Sequence, residues 1–222
     1  MAPRAYGQYC GVVTALELVG ERWALLIVRD LLVGPRRYSD LKAGLPRIPT
    51  NILATRLKEL QAAGVVRRVP LAHGLVYDLT EYGRGLEDVV LALGRWGFRA
   101  MGEPGADDVV TPDSMTMAFR TAFRPSAATG WSGTFVVHVG DVVLTLAVGD
   151  GELAVTRGAI DDATLTLAAG PAIREVIAGA VSPEEALLTG VVRVLDGDQG
   201  ALDRFAAVFH LEAEPAPVVV PA

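Results

Sequence analysis

Asn51, Thr55 and Lys58 recur at intervals of four and three residues, with Ala54 beside them. Ile52, Leu53, Leu57 and Leu60 of the same stretch fall on the other side of a helical wheel, within an arc of roughly 140° at 100° per residue. The outer set offers an amide, a hydroxyl, an ammonium and a methyl group. Those groups exchange hydrogen bonds with base edges and phosphates, and an alanine methyl can meet the methyl of thymine. No carboxylate occupies the outer arc, so a polyanion would not be repelled there. The chemistry implied is recognition, with no bond made or broken.

Further basic groups flank this stretch. Arg36 and Arg37 precede a short helix expected over 38–43, where they could hold a phosphate. Arg67 and Arg68 stand at the base of an expected hairpin with His73 at its tip, placed to straddle a duplex. Arg56 sits at the margin of the apolar arc, and two readings carry equal weight: a phosphate contact, or a pairing with a carboxylate such as Glu59 or Glu21.

The elements that would position these groups follow from periodicity. Apolar spacing indicates helices over 12–19, 22–32, 38–43 and 51–63, the last with Thr50 as its N-cap and Gly64 as its stop. Strand-type runs at 65–70 and 75–79 flank a tight connection through Gly74. Thr80 then caps one long amphipathic helix whose stripe is Leu86, Val89, Val90, Leu93 and Trp96. Three helices, a hairpin and a further helix are the order of a winged helix, whose third helix suits the major groove of double-stranded DNA.

Charge is divided unevenly. Residues 1–100 carry 14 Lys/Arg and 9 Asp/Glu, a balance of +5, and residues 101–222 carry 6 and 17, a balance of −11. A polyanion-binding module joined to a part with another task is the expected reading. One cysteine among 222 residues excludes an internal disulfide framework and a zinc ribbon. No apolar run approaches the ~18 residues of a membrane span, and the N-terminus opens on no signal-type core, so a cytoplasmic protein without membrane contact is expected.

The stretches Tyr9-Cys10-Gly11, Leu18-Val19-Gly20-Glu21-Arg22-Trp23 and Arg29-Asp30-Leu31-Leu32-Val33-Gly34-Pro35-Arg36-Arg37-Tyr38-Ser39-Asp40-Leu41 closely resemble the HxlR-type winged-helix regulators, relatives of MarR proteins. The likeness continues through Ile48, Leu53, Arg56-Leu57-Lys58-Glu59-Leu60, Gly64-Val65-Val66 and Tyr77-Asp78-Leu79-Thr80-Glu81-Tyr82-Gly83, about residues 6–100 in all. It implies a homodimer that binds a near-palindromic operator, its first and last helices packing across a two-fold axis with Leu86, Val89, Leu93 and Trp96 as the surface. Two departures stand out: Gly11 follows Cys10 where the family usually has proline, and the wing is short without a proline-bearing tip. In several members the cysteine matching Cys10 senses electrophiles or oxidants; a small buried hydrophobe is the other reading of this thiol.

The second half changes period. Strands are expected over 134–140, 141–149, 152–157, 163–167 and 191–195, with helices over 171–178, 183–188 and 199–210. Residues 113–214 resemble, more loosely, the sterol-carrier-protein-2-like domain, through Asp162-Ala163-Thr164-Leu165-Thr166-Leu167, Ser182-Pro183-Glu184-Glu185-Ala186-Leu187-Leu188-Thr189-Gly190 and Leu202-Asp203-Arg204-Phe205. That likeness implies an α+β fold with a mostly antiparallel sheet around an apolar tunnel. Met115, Met117, Phe119, Phe123, Trp131, Phe135, Phe205 and Phe209 are then candidate walls for a small apolar effector, and plain core is the alternative.

Enzyme signatures are missing from the sequence. His73, His138 and His210 lack metal-ligand spacing, and there is neither a Gly-x-Ser-x-Gly elbow nor a phosphate loop. The expectation is therefore two domains, 1–102 winged helix-turn-helix and 113–222 effector-binding or assembly, joined by a linker at 103–112, with no enzymatic activity and no cofactor. The expected function is a DNA-binding transcriptional regulator, most readily a repressor. A lipid or sterol carrier and a thiol-based sensor through Cys10 are the alternatives.

Overall fold

The computed structural model describes residues 5–71, 74–102, 104–105 and 107–212. His73 and the Pro/Val tail after Glu214 lie outside the described residues. Contacts divide the chain into two compact units, Met1–Val90 and Leu91–Ala222. The division falls inside a helix, upstream of the Pro/Gly stretch expected to join the domains.

The first unit begins with α1 (Gly11–Val19), α2 (Ala24–Val33), α3 (Tyr38–Gly44) and α4 (Thr50–Ala62). The hairpin β1 (Val66–Leu71) and β2 (Gly74–Leu79) follows, then α5 (Glu81–Arg84) and the start of α6 (Glu87–Phe98). Its interior is supplied by Ile27, Val28 and Leu31 of α2, Leu41 of α3, Leu53, Leu57 and Leu60 of α4, and Val76 and Leu79 of β2, all buried. Each such aliphatic side chain contributes about 1.5–3 kcal/mol on leaving water. This burial fixes which face of α4 points inward.

Three local differences from the sequence reading have plain causes. α2 starts at Ala24, not Arg22, because Trp23 takes a left-handed conformation (φ 80°) that a right-handed helix cannot contain. Pro49 holds the N-cap position of α4, and Thr50 is its first helical residue. The long helix expected after Thr80 is two helices, broken around Gly85 and Leu86. Thr80 still caps the first of them, accepting from the Gly83 amide at 3.0 Å while its hydroxyl donates to the Gly64 carbonyl at 2.6 Å.

α4 ends in a Schellman turn. The Val65 amide donates to the Leu60 carbonyl and the Gly64 amide to that of Gln61, with Gly64 at φ 70°. The chain therefore leaves α4 directly into β1. β1 and β2 pair antiparallel in the register Val66↔Leu79 to Leu71↔Gly74. Arg36 adds a bridge to Tyr77, through reciprocal backbone hydrogen bonds of 2.9 and 2.8 Å, so the α2–α3 loop forms a rudimentary third strand beside the wing.

The second unit contains α7 (Pro112–Ala122), α8 (Pro125–Ala128), α9 (Ile173–Ile177), α10 (Pro183–Leu188) and α11 (Ala201–Val208). Its sheet comprises β3 (Ser132–Val139), β4 (Val142–Gly149), β5 (Glu152–Arg157), β6 (Leu165–Ala169) and β7 (Val192–Gly197), in the order β5-β4-β3-β6-β7. The sheet is mixed: β3 and β6 run parallel and the other neighbours antiparallel. α7 and α8 are absent from the strand-dominated reading of this half. Thr111 caps α7 through the Ser114 amide, so the last residues of the expected linker already belong to a folded element.

The aromatic side chains named as candidate ligand walls pack on one another. Phe119, Phe135, Phe205 and Phe209 are fully buried, with ring centroids 5.0 to 6.2 Å apart in tilted and edge-on pairs. Met117 is buried as well, Phe123 lies tilted on Phe209, and Trp131 stacks on Phe135 at 5.3 Å. Aromatic pairs of this geometry add about 0.5–1.5 kcal/mol each beyond area burial. The four phenylalanines belong to the core of the second unit, and Met115, Phe123 and Trp131 pack against it.

Candidate nucleic-acid interface

α4 turns Leu53, Leu57 and Leu60 inward and leaves Asn51, Thr55 and Lys58 exposed. Ala54 is half-buried between the two faces. The Thr55 hydroxyl donates to the Asn51 carbonyl at 2.9 Å and keeps its lone pairs for an incoming donor. At the helix start, the Tyr38 hydroxyl donates to the Thr50 carbonyl at 2.8 Å, which ties the first turn of α4 to α3. The outer row thus stands on a helix anchored at its N-terminus by a hydrogen bond and along its inner face by three leucines.

Around that row the arginines differ in how they are held. Arg36 is half-buried and its Nη1 donates to the Pro35 carbonyl at 3.0 Å. Arg37 is exposed at the N-terminus of α3, its amide donating to Asp40 Oδ2. Arg68 lies over the Tyr77 ring at 5.6 Å. Arg67 donates to Asp78 Oδ2 at 3.0 Å while 56% of its side chain stays open to solvent. Arg56 is the exception among the candidates: it bonds to Glu21, to Glu59 and to the Arg22 carbonyl, and its side chain is only 14% exposed. Of its two readings, the pairing is the one the geometry contains.

Sequence reasoning overlooked two residues here. Asp78 is 5% exposed and accepts from two guanidiniums, Arg67 at 3.0 Å and Arg84 at 2.8 Å. Two positive charges on one carboxylate leave the wing base net positive. Arg84 lies on α5, and half of its side chain is open to solvent. The signal was present: Asp78 is in phase with buried Val76 along β2 and opposite Arg67 in the hairpin register.

Cys10 is exposed at the N-cap of α1. The backbone amides of Val13 and then Val12 hold its thiol below the ordinary value, as expected where helix N–H groups converge on a thiolate. The buried-hydrophobe reading of this thiol is overturned. Among the described residues no group of three or more His, Cys, Asp or Glu is arranged to hold a metal ion. No helix among them is long and apolar enough to cross a membrane.

Residues 18–104 match the model of the HxlR-like helix-turn-helix family. The chain is 36% identical over 85 residues to YvaP of Bacillus subtilis, an HTH-type transcriptional regulator, spanning 37% of this chain and 79% of that relative. It is 32% identical over 113 residues to YkvN of the same organism, 48% of this chain and 96% of YkvN. An HTH-type transcriptional regulator of Mycobacterium tuberculosis is 42% identical over 93 residues, 40% of this chain and 58% of its own. Among solved structures, the redox regulator HypR in its oxidized form is 30% identical, covering 43% of this chain and all of that one, with a TM-score of 0.39. The quinone-bound YodB from B. subtilis is 35% identical over 39% of this chain and 93% of its own, with a TM-score of 0.35. Over residues 18–104, a stretch that includes α4, the chain belongs to the HxlR-like helix-turn-helix family.

Proposed function

We propose that this protein is a homodimeric transcriptional regulator that binds double-stranded DNA sequence-specifically through the outer face of α4, at a near-palindromic operator, and represses from there. The observation that carries the reading is the exposed row Asn51, Thr55 and Lys58 on a helix whose opposite face is pinned by buried leucines. Arg37, Arg67, Arg68 and Arg84 supply the sequence-independent attraction to phosphate. No catalytic step is assigned.

The second copy is argued from α6. None of its residues is buried, and Val89, Leu93 and Trp96 form an apolar stripe at i, i+4 and i+7 with Trp96 72% exposed. The opposite side of the same helix is occupied: Gly94 lies so close to Thr121 of α7 that a Cβ there would stand 2.9 Å from its hydroxyl, and Phe98 packs on the second unit's core. α1 adds exposed Val12 and Leu16. A symmetric second copy covers the α6 stripe of each chain. The resemblance of 113–214 to sterol-carrier-like domains supports an effector-binding or assembly role for that part, joined through 103–112. Because its aromatic cluster is packed, an apolar effector would need a different surface, and it would act through differential affinity for two spacings of the paired α4 helices.

The test uses the full chain on a pool of random-sequence duplexes. Enrichment of a two-fold-related sequence is expected, bound with an affinity that falls by orders of magnitude between roughly 50 and 200 mM salt. Uniform recovery of the pool, or salt-independent binding, rejects the proposal. A second reading, thiol control through Cys10, is favoured by that residue's exposure and lowered pKa. Quinone or peroxide should then release DNA from the wild type and leave the Cys10→Ser variant bound.

A further inference from the structure

Arg56 joins two parts of the first unit that sequence keeps apart. Nη2 donates to Glu21 Oε2 at 2.9 Å and Nε to the Arg22 carbonyl at 3.3 Å, both in the α1–α2 turn, while Nη1 pairs with Glu59 one turn further along α4. The turn it grips is the one in which Trp23 takes its left-handed conformation, with the Arg22 guanidinium 5.4 Å over the indole ring. A bulky residue adopts that conformation only where its surroundings impose it.

We infer that Arg56 is a positioning residue: it clamps α4 to the α1–α2 turn, fixes the attitude of the recognition helix relative to α1, and makes no contact with DNA. The inference rests on the proposed DNA reading by α4. A phosphate contact would require guanidinium donors open to solvent, yet the side chain is 14% exposed and faces two carboxylates. A phosphate would have to displace two carboxylates already paired with that guanidinium. Hydrogen bonds to base edges operate within about 2.7–3.2 Å, so a shift of α4 by an ångström removes readout by Asn51 and Thr55. The turn that Arg56 holds directly follows α1, whose N-cap is Cys10, so a displacement of α1 reaches α4 through this clamp.

Two variants of the full chain separate the clamp from a phosphate contact. Glu21→Gln removes a negative charge beside α4. If Arg56 touched phosphate, that change would free it, raise affinity and steepen the log–log salt dependence. The clamp predicts the reverse sign: affinity for the duplex enriched by the wild type falls by about tenfold, the size of coupling that such a network carries, and the salt slope does not change. Arg56→Gln should lower specific affinity similarly, leave affinity for a mixed-sequence duplex unchanged, and make the double variant no weaker than either single one.

Amide exchange of the DNA-free protein provides a reading that does not need DNA. The Gly20 amide bonds to the Leu16 carbonyl and the Ala24 amide to that of Glu21, and both should exchange faster in Arg56→Gln and in Glu21→Gln. Unchanged exchange at these amides, or a salt slope lower by about 0.9 in Arg56→Gln, overturns the clamp. A wild type that enriches no sequence overturns the DNA reading instead, and the exchange rates then still decide whether Arg56 holds the turn.

Discussion

Replacing Trp96 with alanine tests the second copy on α6 quantitatively. The residue is 72% exposed, and a tryptophan presents about 200 Å² of surface, so about 150 Å² stands open. Covering it at about 25 cal/mol per Å² contributes about 3.5 kcal/mol in each copy. An isologous interface uses the residue twice. Partial coverage lowers the total, and about half of it, ~3 kcal/mol, is a conservative expectation for the variant. That corresponds to a dimer dissociation constant raised by about two orders of magnitude. Sedimentation equilibrium over a wide dilution range measures it. Because the side chain is exposed in the single chain, the variant should keep the far-ultraviolet circular dichroism of the wild type. Leu188→Ser serves as the control, since Leu188 is 81% exposed at the end of α10, outside the α6 stripe, and its loss should leave association unchanged. A wild type that is monomeric throughout, or an unaltered constant in Trp96→Ala, refutes the reasoning.

Other expectations follow from the same geometry. Thr55→Ala should narrow the affinity ratio between enriched and scrambled duplexes by about 1–3 kcal/mol, whereas Arg67→Ala should weaken both alike and reduce the salt slope by about 1; competition binding at several salt concentrations separates them. Asp78→Ala removes a buried acceptor of two charged hydrogen bonds whose donors are half exposed, so urea unfolding should show a loss of about 1–2 kcal/mol while affinity for mixed-sequence DNA rises. Phe205→Ala opens the packed aromatic cluster and should cost about 3–5 kcal/mol; a loss under 1 kcal/mol would mean the ring already borders a void. The Cys10 thiol should be alkylated with a lower pH midpoint in the folded protein than in the urea-unfolded chain, because helix amides favour its thiolate; a folded midpoint equal to or above the unfolded one contradicts the assigned cause.

The outer face of α4 was legible in the sequence because burial there has one solution: the leucines at 53, 57 and 60 must face the core, and the wheel then sets Asn51, Thr55 and Lys58 outward. The wing was legible for the same reason, through alternation and Gly74. Hidden were features settled by tertiary pairing. Arg56 could not be assigned from its wheel position, since both Glu21 and Glu59 are reachable from it. Arg84 carried no signal until β2 placed Asp78 beside it. The break after Arg84 was missed because the apolar stripe continues in phase across it, and α7 because Asp113, Thr116 and Thr121 share its buried face with Met117 and Phe119 and blur the apolar stripe. In the second unit, the small residues that invited the idea of a hollow interior lie around a centre filled by four phenylalanines.

Chemical footprinting tests the central claim most directly. Dimethyl sulfate methylates guanine N7, which faces the major groove, and adenine N3, which faces the minor groove. On a wild-type-enriched duplex containing both bases, the full chain should shield guanine N7 in two patches about one helical turn apart, and the triple variant Asn51→Ala, Thr55→Ala, Lys58→Ala should lose that shielding. Protection confined to adenine N3, or N7 protection that persists in the triple variant, would contradict the reading of α4 as the helix that enters the groove.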